Sequence, residues 1–282
     1  MISFNILNAQ SSKEYEFAGT LALSTNELIT YKINFKMLNN EQFSGLSLTD
    51  IYGDDRTTSS ISGNINSKKG FISFAESKNI NTKSKYKNDE FCYVEINNAK
   101  FITVKNKTII KGKFIGKFSN GNVCATGMVY LVSTNYLEEM AEKYVNKKYI
   151  KNLDTLSLVQ NKIKAAQNQV KNTELKSKQE LKVNWTSSEV IIDIWDGERE
   201  DLDEIEVYIN DKKVIDRLIL KQKKRSIVIP YPEDGCIIKI VGLDEGTSAP
   251  CTANILLRDN ADTTPVITVL KKGEYATINL MK

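Results

Sequence analysis

The residues best suited to chemistry gather between Asp193 and Glu206. There, eight carboxylates (Asp193, Asp196, Glu198, Glu200, Asp201, Asp203, Glu204 and Glu206) accompany a single base, Arg199. Carboxylate oxygens are the natural ligands of hard cations, and calcium takes roughly six to eight oxygens. The run contains a turn, Trp195-Asp196-Gly197, between two strand-like segments. Asp193, Asp196, Glu198, Asp201 and Asp203 are therefore the expected metal ligands, and calcium the expected ion. The spacing is not that of an EF-hand. Strand alternation also sends neighbouring carboxylates to opposite faces, so all eight cannot meet one ion. The competing reading is a solvated acidic loop answered by the bases that follow it: Lys212, Lys213, Arg217, Lys221, Lys223, Lys224 and Arg225. That basic run could also meet phosphate, an anionic polysaccharide or a membrane surface. It holds no aromatic residue on which bases could stack, which argues against nucleic acid.

A second group sits on alternating segments of the first half. Tyr31, Phe35, Asp50, Glu76, Lys83 and Tyr93 are expected to line the mouth of a barrel able to hold a small hydrophobic ligand. Small barrels are more often filled by their own side chains, so ordinary core packing is the alternative. Histidine is absent, which removes Ser-His-Asp, Cys-His and His-metal sites. No phosphate-cradling glycine loop occurs, and the Ser-x-x-Lys pattern that would begin at Ser226 lacks its lysine, Ile229 standing in that place. With no nucleophile beside a base, a non-enzymatic protein is expected and no catalytic residue is assigned. A carboxylate-dependent glycan-active enzyme remains the catalytic alternative, because two acids can converge in space without leaving a signature in sequence.

These groups must be positioned by β-structure. In residues 11–134, runs such as Tyr15, Phe17, Gly19, Leu21 and Ile29, Tyr31, Ile33, Phe35 repeat every second residue, with hairpin-length turns between them. About eight strands without an interrupting helix predict an antiparallel meander closed into a barrel. Gly112 and Gly116, alternating with Phe114 and Phe118, suit close approaches within it. Residues 135–180 change period. Asn135 and Glu138 form a capping box, and Leu156, Val159, Ile163, Ala166 and Val170 recur at helical spacing, predicting a helical linker. Residues 137–182 carry ten Lys and six acids, so the whole net charge of +4 resides there. The stripe suits packing on a neighbour or self-association through helices at 137–175. From 181 to 282 the period returns to two, with turns at Asn210-Asp211-Lys212 and Glu233-Asp234-Gly235, which predicts a two-sheet sandwich. The fold class is thus all-β: an eight-stranded barrel, a helical linker and a β-sandwich.

Cys92 and Cys124 fall in the first half, and Cys236 and Cys251 in the second, so each half holds one possible disulfide pair. Local disulfides imply an oxidising compartment; four buried thiols are the alternative. Residues 1–10 read either as a signal-peptide remnant or as an ordinary strand. No run approaches the ~20 apolar residues of a membrane-spanning helix. A net charge of +4 is too small to imply nucleic acid.

Particular strings carry a resemblance. Val190 through Gly197, Glu200-Asp201-Leu202-Asp203-Glu204, Val207-Tyr208-Ile209-Asn210-Asp211-Lys212 and Asp244-Glu245-Gly246 through Pro250 and Thr252-Ala253 resemble a β-sandwich domain of secreted Bacteroidota proteins. The pattern there is an acidic EDGD loop, an IYxNGK hairpin and an NEGxxPPNTA loop. Here Leu202 and Asp211 stand where that pattern has glycines, Asp244 replaces its Asn, and Ala249 and Cys251 flank a single Pro250. Phe17-x-Gly19-x-Leu21, Thr49-Asp50, Thr82-Lys83-Ser84 and Phe91-Cys92 are similar to a barrel-like domain that precedes the sandwich. The resemblance implies export and adds no activity. The expected function is a binding or interaction protein of the cell envelope or extracellular space, stabilised by calcium, with another envelope protein or a glycan as partner.

Overall fold

The computed structural model describes residues 14–51, 55–86, 90–137, 139–140, 173–197, 200–260 and 262–282. They fall into two compact units. One lies within Met1–Ile51, Ser59–Lys78 and Tyr86–Met140; the other lies within Tyr52–Thr58, Asn79–Lys85 and Ala141–Lys282. The proposed signal-peptide remnant at 1–10 and most of the proposed linker helices lie outside the described residues.

The first unit is built on β1 (Glu14–Leu23), β2 (Leu28–Met37), β3 (Gln42–Ile51), β4 (Asp55–Asn66), β5 (Phe71–Thr82), β6 (Tyr93–Val104), β7 (Lys107–Lys117) and β8 (Val123–Ser133). Each strand neighbours the next, and β8 returns antiparallel to β1, so the meander closes into the expected barrel. Closure satisfies both edges and turns one face of every strand inward. In β2 that face is Tyr31, Ile33 and Phe35, each at most 1% exposed. Phe35 stacks on Phe43 with ring centres 4.1 Å apart and on Tyr15 at 5.2 Å, while Phe17 meets Phe35 at 6.0 Å. Gly112 admits Ala99 of β6 to a place its own side chain would need, 2.7 Å from where a Cβ would stand.

Cys92 and Cys124 form a disulfide with their Cα atoms 6.0 Å apart. The pairing runs from Val94 to Gly116 and from Gly116 to Ala125, so the bridge passes across β7 from the start of β6 to β8. Cys124 falls at a register shift between Gly116 and Lys117. A side chain at Gly116 would meet the Cys92 sulfur, so the bridge requires glycine there.

The second unit has β9 (Thr173–Lys176), β10 (Glu180–Asn184), β11 (Glu189–Trp195), β12 (Asp203–Ile209), β13 (Lys212–Ile219), β14 (Arg225–Pro230), β15 (Cys236–Glu245), β16 (Cys251–Asp259), β17 (Asp262–Leu270) and β18 (Tyr275–Met281). One sheet runs β13-β12-β15-β18-β10, and the second runs β14-β11-β16-β17-β9. Their inner faces share one core that includes Val190, Ile192, Ile238, Ile240, Ile255, Leu257 and Ile278.

Two boundaries differ from expectation. Helix is present at 134–137 and 139–140, so Asn135 lies inside the helix and not at its cap, and the expected linker end at 180 is not helical. Thr173–Lys176 is instead a strand, parallel to β17, with Thr173 and Leu175 buried. The end of β5 also departs from the expected domain 11–134: Thr82 and Asn81 pair antiparallel with Lys182 and Val183 of β10.

The expected Cys236–Cys251 disulfide does not form; both are buried free thiols. Cys236 begins β15, whereas the Cys251 sulfur lies 3.7 Å from the carbonyl of Glu204, whose strand partner is Asp244 near the other end of β15. At about 3.3 Å per residue those ends are roughly 25–30 Å apart, against the ~7 Å that a disulfide tolerates between Cα atoms.

Candidate functional site

The acidic run and the 244–254 string meet at one end of the second unit, because β12 pairs with β15. That register sets Asp203 opposite Glu245 and Glu204 opposite Asp244. The loops beyond these strands are then tied together. The Thr247 N–H donates to the Asp201 carbonyl at 2.8 Å, and the Thr252 N–H donates to Asp203 Oδ2 at 2.7 Å. Gly246, at φ +54°, leaves no room for a side chain against Asp201 and Asp203.

Asp203 is 1% exposed. Burial pushes its carboxyl up to about 6, against the Thr252 N–H, with repulsion from Asp201, Asp196 and Glu245 adding to the rise. Asp203 Oδ1 and Asp201 Oδ1 are both buried and receive no hydrogen bond. A buried acceptor without a donor is costly, and here two such oxygens belong to carboxylates two residues apart. Burial raises the Cys251 thiol to about 12, with the charges of Asp203, Asp201, Glu245 and Asp244 adding to the rise, and burial alone raises Cys236 to about 11, so both thiols stay protonated near neutral pH.

The expected ligand set is only partly assembled. Asp193 is elsewhere engaged: its Oδ1 takes the Arg258 guanidinium at 2.8 Å and the Ser226 hydroxyl at 2.6 Å. Glu198 lies outside the described residues. Asp196, Asp201 and Glu245 lie near enough to Asp203 for their charges to repel its carboxylate. Among the described residues, no three carboxylates or thiols are gathered tightly enough to hold an ion by themselves.

The basic run answers the acids selectively. Arg217 pairs with Glu204 at 2.6 Å and Lys213 with Glu206 at 2.8 Å, while Lys224 stands 4.4 Å over the Trp195 ring. Neither ion pair reaches Asp201 or Asp203.

Two positions where the resembled pattern has glycine adopt the left-handed backbone that glycine favours: Leu202 at φ +76° and Asp211 at φ +61°. For leucine that conformation is strained, and its side chain gains little in return, being 61% exposed. Leu202→Gly is expected to stabilise the protein by about 1 kcal/mol in urea unfolding, and Asp211→Gly by less, because Asp tolerates this region better.

In the barrel, Tyr31, Phe35 and Glu76 point into the core instead of lining an open mouth. Tyr31 and Ser47 donate their hydroxyls to Glu76 Oε1 at 2.9 and 2.5 Å, and the Val94 N–H donates to Oε2 at 2.8 Å. Burial raises the Glu76 carboxyl above its ordinary range, opposed by these three donors. Lys83 belongs to the second unit, where it donates to the Glu174 carbonyl at 2.9 Å. Asp50 pairs across from Thr30, and Tyr93 across from Lys117. The six candidates therefore do not form one site.

Glu245, Ser47 and the Val94 N–H were not recognisable beforehand, since their roles depend on strand pairing. A further group lies on the outward face of β12, β15 and β18. There the Lys239 ammonium stands 5.6 Å over the Tyr208 ring and 4.8 Å over the Tyr275 ring. Alternation within Tyr208-x-Asn210, Ile237-x-Lys239 and Tyr275-x-Thr277 was its only signal. Comparison with protein-family models, curated proteins and solved structures returned no match for this chain.

Proposed function

We propose that this chain is a non-catalytic binding or interaction protein of the cell envelope or extracellular space, with a second unit stabilised by calcium. The observation that carries the calcium reading is the pair of buried, donor-free oxygens on Asp201 and Asp203 beside Asp196 and Glu245. Calcium would be held by those carboxylates, with main-chain oxygen and water completing its shell, and would offset their mutual repulsion. The disulfide within the first unit supports export to an oxidising compartment. The aromatic packing of the barrel interior favours this reading over a hydrophobic-ligand carrier.

Thermal unfolding in 10 mM calcium against chelator tests the proposal. For a Kd near the ~0.1–1 mM typical of extracellular modules, mass action gives roughly 1–3 kcal/mol and an upward Tm shift of several degrees. The shift should shrink as pH falls below about 6, where protons occupy Asp203. It should vanish in Asp203→Asn. Identical melting curves with calcium and with chelator reject the calcium reading.

A further inference from the structure

The β6–β7 hairpin and β8 together carry one continuous outward face of the barrel. Residues paired directly across an antiparallel ladder share a face, and alternation gives that face every second residue. The pairs Lys100–Lys111, Ile102–Ile109 and Val104–Lys107 lie on it. The pairs between them turn the other way: Phe101 meets the buried Ile110, and the Thr103 and Thr108 hydroxyls lie 3.1 Å apart. The register carries the face onto β8, where Tyr130 stands opposite Lys111 and Met128 opposite Lys113. Lysines and apolar side chains therefore adjoin one another across three neighbouring strands.

The hairpin tip projects. β5 pairs with β6 only as far as Phe71 opposite Lys100, so among the described residues no strand flanks Ile102 to Lys107 on that side. Val104 at the tip is 61% exposed, and Ile102, Met128 and Tyr130 are exposed as well. Lys105 begins the turn at φ +55°, a conformation that glycine adopts at less cost. Among the described residues, Lys100, Lys105, Lys111 and Lys113 have no ion-pair partner. The acids near the face are otherwise engaged: Glu95 takes Lys117 at 2.5 Å, and Glu139 accepts from the Asn106 amide at 3.4 Å. Lys100 and Lys111, directly opposite, repel one another.

Charge and apolar exposure together select the occupant. A soluble polyanion would use the lysines and leave Ile102 and Val104 in water. A second copy docked by the same face would set lysine against lysine. An anionic bilayer uses both features, since ammonium groups reach lipid phosphates while their aliphatic stems and the apolar tip enter the interface.

We propose that this face binds the surface of an anionic lipid membrane, with the tip at Val104 entering the interface and Lys100, Lys105, Lys111 and Lys113 meeting lipid phosphates. The proposal rests on the reading of the chain as a binding protein of the cell envelope and names its partner. It does not depend on the calcium site, whose residues belong to the other unit.

The test is cosedimentation of the full chain, in chelator, with vesicles of phosphatidylcholine alone and of equal parts phosphatidylcholine and phosphatidylglycerol. The expected result is binding to the anionic vesicles, weakened by salt, with little binding to the neutral ones. Lys100→Gln combined with Lys111→Gln should lower the partition coefficient about 25-fold, the product of two single-charge losses. Val104→Asn should lower it about tenfold. Lys105→Gly should bind about fivefold more weakly yet unfold at no lower urea concentration, because glycine relieves the turn. All four positions are exposed, so urea midpoints near or above that of the wild type show that the variants are folded. Calcium-dependent melting of the same preparations separates failure here from failure of the calcium reading. No binding to the anionic vesicles overturns the proposal, as does equal binding to the neutral ones or binding that the paired lysine substitutions leave unchanged. Binding that needs the lysines but is indifferent to Val104→Asn marks a site for soluble polyanions, which also overturns it.

Discussion

Cys124→Ser, or reduction of the wild-type protein, is expected to lower unfolding stability by about 3–4 kcal/mol in urea titrations. The Cys92–Cys124 bridge closes a loop with a sequence separation of 32 residues. The chain-entropy relation assigns a loop of that length roughly 3.7 kcal/mol. The bridge spans three neighbouring strands, so its loss frees the start of β6 from β8 together with β7 beneath it. Because the midpoint would move with little native rearrangement, far-UV dichroism before unfolding should match the wild type. A midpoint unchanged by reductant would show that the bridge contributes nothing. Gly116→Ala provides an independent check: the added methyl group would meet the Cys92 sulfur, so it should destabilise the oxidised protein more than the reduced one.

Glu76→Leu should cost about 3 kcal/mol, since it leaves the Tyr31 and Ser47 hydroxyls and the Val94 N–H buried without an acceptor. Each orphaned donor costs roughly 1–3 kcal/mol, and relief from burying a carboxylate offsets part of the total. Glu76→Gln keeps an acceptor and should cost much less. The pH dependence separates charge from packing. The folded carboxyl binds its proton more tightly than the unfolded chain does, because burial raises it. Its contribution is therefore fully present below the unfolded-state pKa of about 4.5 and is lost as pH rises through the higher folded-state value. Asp203 acts in the same direction between its ordinary value of 3.8 and about 6. Stability curves of wild type and Glu76→Gln from pH 4 to 8 should differ in slope. Parallel curves would remove any titration of Glu76 from the account.

The barrel was legible because its signal is local. β1 and β2 announce their inward faces by alternation, and the turns between strands are short. The sandwich was legible for the same reason from β10 onward. β9 was not, because its four residues close a lysine-rich stretch of helical period, and only distant β17 makes Thr173 and Leu175 an inner face. Long-range pairing also decided the site. Asp193 belongs to the acidic run in sequence, yet Arg258, on a strand far along the chain, takes its carboxylate. Glu245 lay outside the run and enters only because β12 and β15 set it opposite Asp203. Leu202 illustrates the converse: its residue type gives no sign that its backbone takes the conformation that glycine favours.

The tie between β5 and β10 bears on the order of folding. Asn81 and Thr82 must wait about a hundred residues for Val183 and Lys182, and Asn79 likewise for the Asn184 amide that donates to its carbonyl at 2.7 Å. Closing so long a loop is entropically expensive and slow, and at roughly 5–20 residues per second of synthesis the partner strand emerges some seconds later. Until then the end of β5 is a strand without its neighbour. A chain released before residue 184 would carry an open edge, so chaperone dependence should be greatest for such truncated products and should end when β10 is made.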